Sequence, residues 1–285
     1  MTITALLLVF TAAFCHATWN FYVKKIGGGR ELVWLISLIS NIFYLPWVVY
    51  IFWVEKPDIG MFEIYCVLVS SILHTVYFLL LQRGYRHGDL SLVYPLARSL
   101  GPIISMIFAV LFLNEIITSQ ILSGGLIIIT GIFFLTGGFK KRAKNVTASI
   151  GYGLLVGFFI GSYTAWDAYV VSVIMLSPVL LDYASNTFRM VIFSPVAYQR
   201  WDIVKTQWTD HKLGVILIGV LSPLAYILFL YAITFRPVTL LAPVRETSVL
   251  ISVLMGSIIL GEGDLKRRLF WSVIILGGVA LLATA

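Results

Sequence analysis

Long apolar runs alternate with short polar connections along the whole chain, and the runs are continuous rather than alternating residue by residue. A membrane-crossing helix needs about 20 mainly apolar residues. Ten runs of that kind occur, at approximately 2–22, 32–54, 62–82, 91–113, 119–138, 149–169, 177–198, 213–233, 238–260 and 268–284. A transmembrane barrel would show segments of about 10 residues with strict alternation instead. The pattern predicts an all-α polytopic membrane protein with ten transmembrane helices. Among the connections, 199–212 is the longest and has the most room for surface structure.

The pattern also repeats. Trp19-Asn20-Phe21-Tyr22-Val23 in the first segment matches Trp166-Asp167-Ala168-Tyr169-Val170 in the sixth, an offset of 166 − 19 = 147. Leu113-Asn114-Glu115 matches Leu260-Gly261-Glu262 with the offset 262 − 115 = 147, and Arg98 and Arg245 are again 147 apart. Pro95 and Pro243 differ by 148, so a one-residue shift intervenes. Two halves follow, 1–139 and 148–285, each with five segments. Five is odd, so the halves must lie inverted in the bilayer. That architecture recurs in secondary transporters, with the site near the midplane between the repeats.

Composition agrees: 60% of the 285 residues are hydrophobic and 12% charged, against about 25% charged in soluble domains. The net charge of +7 does not signal nucleic acid. The basic residues sit in short clusters between apolar runs, whereas a phosphate groove needs them on one solvated face. Cys15 and Cys66 both lie within apolar segments and read as small core residues.

Lys and Arg in the loops set the orientation. Connections after segments 1, 3, 5, 7 and 9 carry fifteen, among them Lys24, Lys25, Lys140, Lys141 and Arg200; those on the other side carry two, Lys56 and Arg236. This predicts cytoplasmic odd-numbered loops and both termini outside. Residues 1–23 contain no Lys or Arg, so the first run lacks a basic leader region and is expected to remain as a helix.

His16-Ala17-Thr18-Trp19-Asn20, Tyr94-Pro95, Leu113-Asn114-Glu115 and Gly261-Glu262, in this order and spacing, resemble the drug/metabolite transporter superfamily in its EamA-type branch. The resemblance covers nearly the whole chain. It implies ten helices in two repeats and a carrier of amino acids, drugs or other metabolites, typically an exporter. It also implies no cofactor and no covalent chemistry. The expected setting is a bacterial inner membrane. The expected partners are a small-molecule solute and lipid; the sequence does not set the oligomeric state.

Ionisable residues inside spans cost roughly 2.5–3.5 kcal/mol each on insertion scales and are functional candidates. Arg98 and Arg245 stand two turns into equivalent segments. Their planar forks suit a carboxylate or phosphonate, and equally an internal pair with Asp167 or Glu246. Burial disfavours the charged form of those two acids, so each is a candidate for proton coupling or for a salt bridge. Trp19, Asn20, Trp166 and Tyr169 offer aromatic walls and an amide for an amphipathic ligand, or interfacial anchors. His16 and His74 are mid-span, each a ligand contact or a helix-to-helix hydrogen bond. Arg189 reads as a structural partner of Asp182 or Asn186. Glu115 and Glu262 sit where spans end and read as caps for the next helix start. Gly124-Gly125, Gly131, Gly137-Gly138 and Gly277-Gly278 permit close helix approach, and Pro95 and Pro243 are candidate hinges.

A passive channel or a membrane-embedded assembly partner is the alternative function. An intramembrane enzyme is disfavoured: the chain has no His-Glu-x-x-His and no Gly-x-Ser-x-Gly, and its four histidines are scattered.

Overall fold

The computed structural model describes residues 2–27, 29–87, 90–135, 146–259 and 265–285. Among them the chain forms eleven α-helices: α1 Ile3–Ile26, α2 Arg30–Tyr50, α3 Met61–His87, α4 Leu90–Leu113, α5 Ser119–Leu135, α6 Val146–Ser172, α7 Pro178–Gln199, α8 Trp201–Ile233, α9 Val238–Arg245, α10 Thr247–Ile259 and α11 Leu265–Ala283. Six helices contain stretches long and apolar enough to cross a membrane: Ile3–Val23, Arg30–Glu55, Met61–Leu81, Leu96–Leu113, Val146–Ser172 and Trp201–Ile233. The chain is thus an all-α, largely membrane-embedded protein. Its outward surface carries large apolar side chains such as Leu7, Phe14, Leu111 and Phe112, which suits lipid and not water.

Local chemistry explains the helix ends. The Thr2 hydroxyl accepts from the Ala5 N–H at 3.4 Å and caps α1, and Gly27, at φ 96°, closes it in the left-handed region with its N–H on the Val23 carbonyl. α2 runs on into a π-helical turn, Ile51–Glu55, which ends at Lys56 with φ 46°. α7 opens on Pro178, where the missing N–H is one that would have no helical partner.

The connection 199–212 holds a helix that starts at Trp201 and meets the apolar part of α8 at a kink, His211, where φ is −133°. One expectation changes. The run 238–260 is not one helix. It breaks at Glu246, where the ladder switches to i→i−3 bonds, Glu246 N–H to the Pro243 carbonyl and Val249 N–H to the Glu246 carbonyl. The matching α4 stays continuous through Pro95, whose side chain lies outside the description. Arg245 therefore ends a helix instead of sitting inside one.

α1 packs on α8 and α10, α4 on α6, α3 on α6, α2 on α7 and α8, and α5 on α11. Glycines allow the closest approaches. A Cβ on Gly153, Gly157 or Gly161 of α6 would meet Leu96, Leu100 or Ile104 of α4 at 2.8, 2.7 and 2.4 Å, and Gly124 and Gly131 of α5 face Leu282 and Ile275 of α11 in the same way. Gly125 has ordinary contacts with Met106 and Pro243, and Gly277 faces open space, so these two do not set a helix separation; Gly137 and Gly138 lie outside the described residues.

Gly161→Ala should therefore push α4 and α6 apart, because its Cβ would also stand 2.8 Å from the Ser105 backbone nitrogen. A loss of about 1–3 kcal/mol is expected, as for other overpacked contacts, read as a lower thermal midpoint in detergent. Gly151→Ala, which meets nothing within 4 Å, should lower it not at all.

Candidate functional site

The break between α9 and α10 places two charged residues where the helix ends favour them. Arg245 occupies the negative C-terminal end of α9, and Glu246 stands just before Thr247, at the positive N-terminal end of α10. Arg98 of α4 approaches the same carboxylate. Its Nε lies 3.3 Å from Glu246 Oε2, and Arg245 Nη2 lies 3.7 Å from Oε1. Glu246 is 1% exposed. Neither of its oxygens has a hydrogen-bond partner among the described residues, so the ion pairs are held by charge alone. Two guanidinium groups against one carboxylate leave one positive charge in excess.

His16 of α1 completes this cluster. Arg98 Nη2 donates to His16 Nε2 at 3.1 Å. A guanidinium cannot accept, so His16 Nε2 carries a lone pair and the ring is neutral. The Trp19 ring meets His16 edge-on at 4.9 Å, and its indole N–H is buried without a partner among the described residues. Arg245 lies over the Phe229 ring at 4.4 Å and Arg98 over Tyr94 at 5.9 Å.

A second polar cluster joins α3, α6 and α8. His74 Nε2 is 2.9 Å from Asp167 Oδ2, and the Tyr226 hydroxyl donates to the same oxygen. Asp167 is wholly buried, and its Oδ1 has no partner among the described residues. The His74 ring stacks on Tyr163 at 4.0 Å. Tyr163 stands between the clusters, because its hydroxyl also interacts with Arg245.

The other candidates fall elsewhere. Asn20 Nδ2 donates to the His16 carbonyl of its own helix at 2.8 Å. Trp166 Nε1 donates to the Cys66 carbonyl at 2.9 Å, and Tyr169 packs beside Trp166 at 6.0 Å. Arg189 Nη2 donates to Asn186 Oδ1 at 2.9 Å, and Asn186 Nδ2 to Asp182 Oδ2 at 2.7 Å, giving a polar chain within α7. Glu115 does cap a helix, but not the next one. Asn114, at φ 54°, turns the chain after α4, and the carboxylate takes the Val238 and Thr239 N–H groups of α9 at 2.7 and 2.8 Å. Pro243 lies inside α9. Glu262 lies outside the described residues.

Sequence reasoning missed Tyr163, Tyr226 and Phe229. No signal distinguished them, since a tyrosine in an apolar run reads equally as an interfacial anchor.

The model of the EamA-like transporter family matches residues 3–137 and 147–284. The chain belongs to the EamA-like transporter family. It is a multi-pass membrane protein of a transporter family, not of an enzyme family. An uncharacterized transporter of Bacillus subtilis (strain 168), YvbV, is 26% identical over 159 residues, 52% of this chain. The match spans about half (49%) of that curated relative's length. A crystal structure 14% identical in sequence aligns with 100% of this chain and 98% of its own at a TM-score of 0.78, and so shares the fold.

Proposed function

We propose that the protein is a secondary transporter that binds an anionic or zwitterionic metabolite at Arg98 and Arg245 and moves it by alternating access between two inverted five-helix repeats, 1–139 and 148–285. The observation that carries this reading is the cationic excess at the α9–α10 break. Two buried guanidinium groups face one carboxylate that neither hydrogen-bonds in good geometry. A buried pair built for stability would satisfy those oxygens. Here Arg98 Nε and the Trp19 N–H lack a hydrogen-bond partner among the described residues, and a carboxylate or phosphonate that competes with Glu246 would supply one. Asn20, Trp166 and Tyr169 are farther members of the proposed solute path.

Ten crossings follow if α5, α7, α11 and the interrupted pair α9–α10 are added to the six long apolar helices. The packing supports an inverted repeat: α1 lies on α8 as α6 lies on α3, while α2 with α7 and α5 with α11 pair like with like. Thermal stabilisation by a panel of carboxylate and phosphonate metabolites, followed by counterflow in liposomes, tests the transport reading. A carrier saturates and exchanges; a passive channel, the alternative, shows no counterflow.

The fifteen-to-two division of loop Lys and Arg supports both termini on the periplasmic side. A C-terminal alkaline phosphatase fusion should be active and a C-terminal fluorescent protein dark; the reverse pair of results would invert the orientation and leave the helices unchanged.

A further inference from the structure

We propose that Asp167, His74 and Tyr226 form a buried proton-binding site, separate from the arginine–Glu246 centre and linked to it through Tyr163. The link to solute movement rests on the transport reading above; the site itself does not.

Both available donors converge on one carboxylate oxygen. His74 Nε2 and the Tyr226 hydroxyl reach Asp167 Oδ2, and Oδ1 is buried with no partner among the described residues. A carboxylate with one oxygen left so is costly while charged, so the group is a natural seat for a proton, which reaches it at Oδ2, the oxygen that His74 already bonds. His74 is the route in. Its side chain is 13% exposed and that of Asp167 is not exposed at all. A proton taken from water by the imidazole can pass along the existing hydrogen bond to the carboxyl group, leaving the ring neutral again. Only the proton moves, and no bond between heavy atoms changes.

The charged and titratable groups turned toward Asp167 come from every element around it. His74 of α3 and Tyr226 of α8 bond it and Asp182 of α7 acts on it by charge; Tyr163 of α6, Tyr77 of α3 and Arg189 of α7 stand around those groups. Beyond Tyr163 stand Arg98, Arg245 and Glu246. Two physical connections lead from the acid to the arginines. Tyr163 stacks on His74 and interacts with Arg245. On α8, Tyr226 holds Asp167 while Phe229, three residues on and with its ring 6.4 Å from that of Tyr226, lies under Arg245. Protonating Asp167 removes a negative charge from this neighbourhood, so the arginine centre gains effective positive charge. Proton and anion then favour each other's binding, and by linkage the effect is reciprocal.

Infrared difference spectroscopy of the full chain in lipid, between neutral and acidic pH and without any solute, tests the site. Acidification should produce a protonated-carboxyl C=O band that shifts in D2O. It should vanish in Asp167→Asn and persist in Glu246→Gln and Asp182→Asn. Tyr226→Phe, which removes one hydroxyl and little packing, should change the band's frequency; this arm decides the question if Asp167→Asn does not fold. Arg245→Met should move the midpoint to higher pH, because a nearby positive charge that opposed protonation is gone. A band that survives in Asp167→Asn or is unmoved by Tyr226→Phe overturns the site, and a midpoint unmoved by Arg245→Met overturns the link. Failure of counterflow with the band intact would count against the transport reading alone.

Discussion

Arg245→Met should abolish binding of the anionic solute while leaving the protein folded. A guanidinium fork makes two charge-assisted bonds, each worth about 1.5–3 kcal/mol. At 1.4 kcal/mol per factor of ten, their loss weakens binding roughly 10²- to 10⁴-fold. Arg245→Lys keeps the charge but not the planar fork and should fall between. Arg98→Met differs, because Arg98 makes the shorter approach to Glu246 and also holds His16. Removing it leaves a buried carboxylate with only the 3.7 Å contact to Arg245, and uncompensated buried charges cost about 3–5 kcal/mol. The double change Arg98→Met with Glu246→Gln should recover thermal stability without recovering solute binding. Binding is read by solute-dependent thermal shift or isothermal calorimetry on purified protein. Normal transport by both methionine variants would end the anion-site proposal. Recovery of binding in the double variant would make Arg98 a structural partner of Glu246 only and leave Arg245 as the solute ligand.

Glu115→Ala should loosen the start of α9. The first N–H groups of a helix have no partner within it, and Glu115 supplies two carboxylate acceptors, to Val238 and Thr239, at the positive end of the helix. Both bonds involve a charged acceptor, so a loss of about 3–6 kcal/mol bounds the effect, lessened where water replaces the carboxylate. Glu115→Gln keeps one carbonyl acceptor, now uncharged, and should cost less than Glu115→Ala but more than half as much. Hydrogen–deuterium exchange at residues 238–241 gives the local readout. Faster exchange there, with α1 unaffected, is expected; unchanged exchange would show that the clamp does not hold α9. α9 carries Arg245 at its other end, so loss of the clamp should also weaken solute binding.

The sequence by itself fixed much of the architecture, because lipid imposes a one-dimensional rule. Backbone polar groups facing lipid must be satisfied within the segment, so a continuous apolar run of sufficient length becomes helical, whether in one piece or, as at 238–260, in two. The same rule made Arg98, Arg245, Asp167 and Glu246 visible, since a charge in such a run stands out against its background. The Leu-Asn-Glu motif was legible as a span end for a related reason. Asn114 adopts the left-handed turn, which asparagine enters more readily than most residues. The glycine triplet Gly153, Gly157 and Gly161 was equally present in the sequence, at the small-xxx-small spacing of close helix contacts, but the pattern does not say which helix lies opposite.

Pairing was decided only by tertiary structure. An apolar helix can rotate about its axis without altering its pattern, so the sequence could not say whether Arg98 meets Glu246 or Asp167; three-dimensional packing put it on Glu246 and gave Asp167 to His74 and Tyr226. Nor could it show the break at Glu246, because Pro243 and Pro95 look alike in their runs while one helix is interrupted and the other continuous. Glu115 capping a helix 123 residues away was hidden for the same reason. Hydrophobic periodicity records that a segment is buried in something, and the identity of its neighbours is set by how all the helices fill space together.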